Sequence, residues 1–152
     1  MPCHAAMTKK FITLSEDQLV EEALSLMEKE GVDVAPVIDD DGAFAGIFSL
    51  RIVMQNLLPV SVSMADGLQL DVQIRAAPGI AKRLRKVLPL KVSDLIQRKV
   101  IHVSPETPLW EGVNLLVQHA EPVFVIDSKT NKVLGMIDGR SALNELNRMQ
   151  ES

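Results

Sequence analysis

Two arginines occupy the same place in two similar stretches. Arg51 lies in GIFSLRIVM (Gly46–Met54) and Arg140 in GMIDGRSAL (Gly135–Leu143), 89 residues apart. In each stretch a glycine and two apolar residues lead to one small polar residue, Ser49 or Asp138, and the arginine follows two positions later. This order reads as a strand passing into a helix, with the arginine on the first turn. A guanidinium there presents a planar fork of donors suited to a phosphate or a carboxylate.

The other residue types able to do chemistry are scattered. Cys3 and His4 are adjacent, but two ligands at a frayed terminus make a poor metal site. His102 falls in an expected strand and His119 near a helix end. Neither has a Cys or Ser partner at a recognised spacing, which makes both structural histidines. Glu21-Glu22 and Asp39-Asp40-Asp41 read as a helix face and a turn rather than acid–base machinery. The basic run Lys82 to Lys86 is either a solvated helix face or a surface for phosphate, RNA or an acidic partner. Trp110, on the first turn of an expected helix, is either core or a dimer contact. With no nucleophile–base pair, metal-ligand cluster or glycine-rich phosphate loop visible, the chain does not read as an enzyme and carries no expected metal site.

The elements that must hold the arginines repeat as well. HAAMTKKFITLS (His4–Ser15) matches SDLIQRKVIHVS (Ser93–Ser104) at the same offset of 89. A helix signal follows each serine. Ser15 and Gln18 suit a capping box, while Ser104 or Thr107 suits a cap with Pro105 or Pro108 at the first helical position. Leu19, Ala23, Leu26 and Met27, and then Leu109, Val113, Leu116 and Val117, recur at helical spacing, and Gly31 suits a helix stop. VAPVID (Val34–Asp39) is answered by PVFVID (Pro122–Asp127). The return strand FAGIFS (Phe44–Ser49) is answered by VLGMID (Val133–Asp138), and Asp41-Gly42 makes the hairpin turn in the first copy. Each half therefore reads strand, helix, strand, strand, helix, an α/β (α+β) arrangement. The divisions are a first domain over 1–58, an insert over 59–91 and a second domain over 92–152. Within the insert, Gly79 to Leu88 is predicted helical and the stretch from Val60 to Ile74 extended or loop, the whole packing on the surface or serving an interface.

Composition limits the function classes. The 152 residues suffice for two small modules sharing a core. Aromatics are only 3%, so the core must be aliphatic, with the seven methionines as packing. A net charge of −4 argues against general nucleic-acid binding. One cysteine excludes an internal disulfide and suits a reducing compartment. There is no membrane-length apolar run and no signal-peptide core, so a cytoplasmic protein is expected.

The two copies together resemble the CBS domain, named for cystathionine β-synthase, in tandem. The residues that carry the resemblance run over about 5–58 and 92–146 and include AAMTKKFITLSEDQLVEEALSLM, VAPVIDDDGAFAGIFS, SDLIQRKVIHVSPETPLWEGVNLL and PVFVIDSKTNKVLGMID. The resemblance implies a Bateman module with pseudo-two-fold symmetry and two clefts between the repeats. It further implies a regulatory ligand such as AMP, ADP, ATP or S-adenosylmethionine, a homodimer, and no catalysis. In the family the return strand ends as Gly-h-h-Thr/Ser-x-x-Asp, the carboxylate facing ribose hydroxyls. Carried over, the pattern implies ligand contacts at Ser49, Arg51 and Ile52, at Asp138, Arg140 and Ser141, and along Val34, Ala35, Pro36, Val123 and Phe124. Ile52 and Ser141 stand at the ribose carboxylate's place, and Asp138 stands where the hydroxyl belongs, its charge opposed to a phosphate unless Arg140 offsets it.

Two functions follow from this reading. One is a stand-alone sensor that binds an adenosine nucleotide or another anionic ligand. The other is a scaffold without a ligand, working through protein contacts made by the insert and its KRLRK run. A membrane is excluded as a partner, and nucleic acid is disfavoured.

Overall fold

The computed structural model describes residues 1–58, 70–119 and 121–150, with only the backbone of 70–78. A 3₁₀ turn over Cys3–Ala5 leads to β1 (Leu14–Ser15), α1 (Val20–Glu30), β2 (Val34–Ile38), β3 (Phe44–Ser49) and α2 (Leu50–Gln55). Helix α3 (Leu70–Val87) and a second 3₁₀ turn over Val92–Asp94 follow. The chain then forms α4 (Leu109–His119), β4 (Val123–Ile126), β5 (Val133–Ile137) and α5 (Gly139–Gln150). Each element of the second set from Val92 onward starts 89 residues after its counterpart, so the offset read in the sequence holds through the fold. The first strand of the second repeat is the exception. It is reduced to an isolated parallel bridge between Val103 and Val125, with His102 outside any strand.

In the first sheet β1 runs parallel to β2 and β2 antiparallel to β3; in the second β4 and β5 are antiparallel. The hairpin turn sits where Asp41-Gly42 signalled it. Gly42 adopts φ +80°, and the Asp39 carboxylate accepts from the Asp41 and Ala43 amides, both at 2.9 Å. Gly31 ends α1 in the left-handed region, its N–H reaching the Glu28 and Met27 carbonyls.

Both repeats exchange their leading segments. Gln97, from the second repeat's leader, and Ile47 of β3 bond amide to carbonyl in both directions, at 2.9 and 3.0 Å. Thr8, from the first repeat's leader, does the same with Met136 of β5, at 2.7 and 2.9 Å. The cores follow this exchange. Val92, Leu95, Phe124 and Ile126 join the core built on Leu14, Val37 and Phe48, while Cys3 is buried with Val103, Val125 and Ile137. The N-terminus is accordingly anchored and not frayed, with the Cys3 amide donating to Thr107 O at 2.7 Å.

Three local expectations are corrected. The helices begin at Val20 and Leu109, later than the serines suggested. Ser15–Gln18 and Ser104–Thr107 instead stabilise the turn before each helix, with Gln18 Oε1 and Thr107 Oγ1 accepting the serine amides at 3.0 Å. The helical amides themselves find carbonyls far away in sequence. Val20 N donates to Leu90 O, Glu21 N to Leu88 O, and Leu109 N to Met1 O, which no local capping pattern reveals. Pro108 consequently precedes the first helical residue. Third, α3 begins at Leu70, nine residues before the predicted start, and runs through Pro78. Leu70, Ile74, Ala77, Ala81, Leu84 and Leu88 keep alternating four- and three-residue spacing across that proline, a period strong enough to outweigh its missing donor. The extended-or-loop expectation for 60–74 is corrected over 70–74, which are helical, and its remainder, 60–69, lies outside the described residues. Val87 is buried in the first core, with Leu84 and Leu88 against it.

Candidate functional site

The β3–α2 junction forms because Ser49 can leave the strand and cap the helix. It sits at φ −147°, ψ 162°, and its Oγ accepts the Ile52 amide at 3.1 Å. The same geometry turns Ile52 inward. Ile52 is 6% exposed and belongs to the first core, so it packs the domain. Ala35, Pro36 and Phe124 are also buried. The sequence reading put these residues among the ligand contacts; the structure gives their side chains to the core, which leaves them at most the floor behind the site.

Arg51 points the other way. Its side chain is 70% exposed, and Nη1 lies 3.8 Å from the Glu121 carboxylate of the second repeat. Between them opens a cleft of about 350 Å³, walled by Asp33, Val34, Ser49, Leu50, Arg51 and Met54 from one repeat and by Glu121 and Pro122 from the other. A smaller hollow of about 170 Å³ shares Glu121 and Pro122 and adds Ile47, Gln97, Lys99, Val100, Ile101, His119 and Val123. Val34, Ser49 and Arg51 are therefore brought together, with Val123 next door. Glu121, Lys99 and Asp33 were missed. Glu121 had a signal: it falls 89 residues after Val32, a charged residue where the first copy has an apolar one.

The second junction is built differently. Asp138 Oδ1 accepts the Ser141 amide at 2.7 Å, while Ser141 Oγ accepts the Asp138 amide at 3.0 Å. This reciprocal cap accounts for both residues. Arg140 is exposed beside it and, among the described residues, has no ion-pair partner. Asp138, Arg140 and Ser141 line neither hollow described above.

The remaining candidates resolve plainly. Among the described residues, no group of three or more His, Cys, Asp and Glu is placed to hold a metal. Burial, with the Glu111 charge adding to it, raises the Cys3 thiol against the lowering pull of a Gly112 backbone bond. His102 Nδ1 lies 3.0 Å from Val100 O, and its ring faces Phe44 at 6.0 Å. In the basic run, Arg83 Nε donates to Asn56 O at 3.1 Å, and Lys82, Arg85 and Lys86 face solvent. No helix among the described residues is long and apolar enough to cross a membrane.

Trp110 is 69% exposed, which excludes the core alternative, and it shares α4 with Val117 at 77%, while Leu143 of α5 is 68% exposed. The residues 89 earlier are Glu21, Glu28 and Met54, so only the second repeat carries a broadly apolar helical face.

The CBS domain family matches residues 4–59 and 92–148. The uncharacterized protein MJ1426 of Methanocaldococcus jannaschii is 25% identical over 134 residues, covering 82% of this chain and 80% of that protein. The CBS-pair protein CBSX2 of Arabidopsis thaliana superposes with a TM-score of 0.76 at 18% identity, covering 99% of this chain and 97% of that one. CBSX2 solved in complex with AMP superposes with a TM-score of 0.70 at 20% identity, with 98% of each chain covered.

Proposed function

The chain belongs to the CBS-domain family, and from that premise we propose that it is a non-catalytic regulatory module of the cytoplasm that binds an anionic adenosine compound between its repeats. The observation that carries this reading is the cleft at Arg51. One repeat contributes a guanidinium, a buried hydroxyl and the apolar Val34; the other contributes Glu121 and Pro122. Its volume of about 350 Å³ is in the range of small-molecule sites. AMP in the CBSX2 complex supports the ligand class, of which AMP, ADP and ATP are the anionic members; S-adenosylmethionine, cationic and without a phosphate, is the adenosine compound that lacks the anion. The reading takes one ligand per chain, at Arg51, because Asp138, Arg140 and Ser141 line neither of the two hollows and Asp138 and Ser141 are engaged with each other. The test is calorimetry and thermal shift with each of the four compounds, beside Arg51→Gln. Ligand at a hundredfold excess over Kd should stabilise by about 2.7 kcal/mol, and the variant should weaken binding about tenfold or more. Absence of heat and of any shift with all four sinks the reading.

A second reading, a ligand-free scaffold, is favoured by Ile52 in the core and by the outward Lys82, Arg85 and Lys86. Reversing those three charges should then abolish capture of a partner protein, and unchanged capture counts against it. Under either reading two copies pair through the apolar face of α4 and α5.

A further inference from the structure

Among the described residues, Glu121 belongs to neither hydrophobic core, and it sits at the joint between the two hollows with its carboxylate toward Arg51. The two partners are unequally held. The Glu121 side chain is 35% exposed and the Arg51 side chain 70%. Pro122 follows Glu121 and leads into β4, so the backbone that carries the acid is restrained on its C-terminal side. Arg51 is a long side chain at a helix surface, free to swing. The acid is therefore the fixed member and the arginine the adjustable one. The charges around them nearly balance: Lys99 and Arg51 are positive, Glu121 and Asp33 negative.

We propose that Glu121 is an internal counter-ion that occupies Arg51 until a ligand's phosphate displaces it, and that it sets how much negative charge the cleft accepts. This rests on the reading of the Arg51 cleft as the ligand site. A phosphate oxygen placed to take both guanidinium donors must come close to a carboxylate 3.8 Å from the same group. The ligand must draw Arg51 away from Glu121 to form its own ion pair and then sit beside the acid left without its partner. Affinity for anions is thereby held down, and the more so the more highly charged the ligand. A neutral nucleoside feels none of this.

Inorganic pyrophosphate, AMP and adenosine are titrated into the whole chain, its Glu121→Gln and Glu121→Ala variants, and Arg51→Gln with and without Glu121→Gln. Binding is read by calorimetry and by the Arg51 Nε–H resonance, and folding by circular dichroism. Glu121→Gln should bind pyrophosphate and AMP about three- to tenfold more tightly at low salt, the order expected for losing one partly exposed charge. The gain should vanish in the Arg51→Gln background and at high salt, with adenosine unaffected. Equal or weaker anion binding by both Glu121 variants overturns the proposal. So does an Arg51 resonance that pyrophosphate moves in neither protein. If pyrophosphate behaves as expected while AMP and adenosine fail to bind, the nucleotide reading falls and the counter-ion role stands.

Discussion

A Cβ built on Gly46 would lie 2.4 Å from the carbonyl oxygen of Gln97, a residue of the opposite repeat. Its partner by repetition, Gly135, is crowded by Met7 Sδ at 2.8 Å and Thr8 O at 3.0 Å. The glycine in each return strand is thus where the other repeat's leader crosses over. Gly46→Ala must push backbone against backbone and break the Ile47–Gln97 pair, so it should destabilise the chain by about 2–4 kcal/mol. Gly139→Ala, with nothing within 4 Å of its Cβ, should stay within about 0.5 kcal/mol. Urea denaturation of the two variants decides it; equal midpoints would mean that the leader does not cross at Gly46.

That crossing shows where sequence reading stopped. The offset of 89, the hairpin at Gly42, the stop at Gly31 and the arginine-bearing junctions were all legible, because each rests on local spacing or turn chemistry. The exchange of Thr8 and Gln97 between repeats was not, because an apolar pattern states that a segment pairs but not with which strand. The helix starts were misplaced for the same reason: the carbonyls of Leu88, Leu90 and Met1 are caps supplied from a distance. The arginine of the site was visible in its motif. Its counter-ion Glu121, on the other repeat, was brought to it only by folding.

Ile52 is a core residue in this chain. Ile52→Ala should cost about 2–5 kcal/mol, the range for a buried isoleucine. Ile52→Asp, which restores the family's carboxylate, should destabilise at least as much, since an acid would replace a 6%-exposed apolar side chain. Denaturant midpoints measure both; an Ile52→Asp protein as stable as the parent would show that the side chain reaches water.

Asp138 acts first as a helix cap. Asp138→Ala should lose about 1 kcal/mol, while Asp138→Asn, which retains an acceptor for the Ser141 amide, should lose only a few tenths. Thermal melts at neutral pH distinguish the two. Equal losses would assign the effect to charge and not to capping.

Cys3 links stability to alkaline pH. Burial raises its thiol above the ordinary 9.0. A raised native value means that the folded chain holds this proton more tightly than the unfolded one. The contribution is therefore complete below 9.0 and is lost as pH rises through the higher native value. Iodoacetamide at about pH 8 should leave the native thiol unmodified and label it readily in denaturant. Cys3→Ala should flatten the fall in stability above pH 9.0, after allowance for the lysines. Fast labelling of the folded chain would contradict the burial that this depends on.

The proposed pairing of two copies can be tested through the asymmetry of the helical faces. Trp110, Val117 and Leu143 expose a mostly apolar surface on the adjoining helices α4 and α5, whereas Glu21 and Glu28 make the matching face of the first repeat charged. A two-fold pair buries the same patch from both chains, and aromatic side chains dominate such contacts. Trp110→Asp with Leu143→Asp should therefore give a monomer by analytical ultracentrifugation at micromolar concentration, with an unchanged circular dichroism spectrum. Glu28→Lys should leave the dimer intact, because its face is not the one covered. A chain that sediments as a monomer before any substitution, or a dimer that survives both aspartates, removes α4 and α5 as the joining surface.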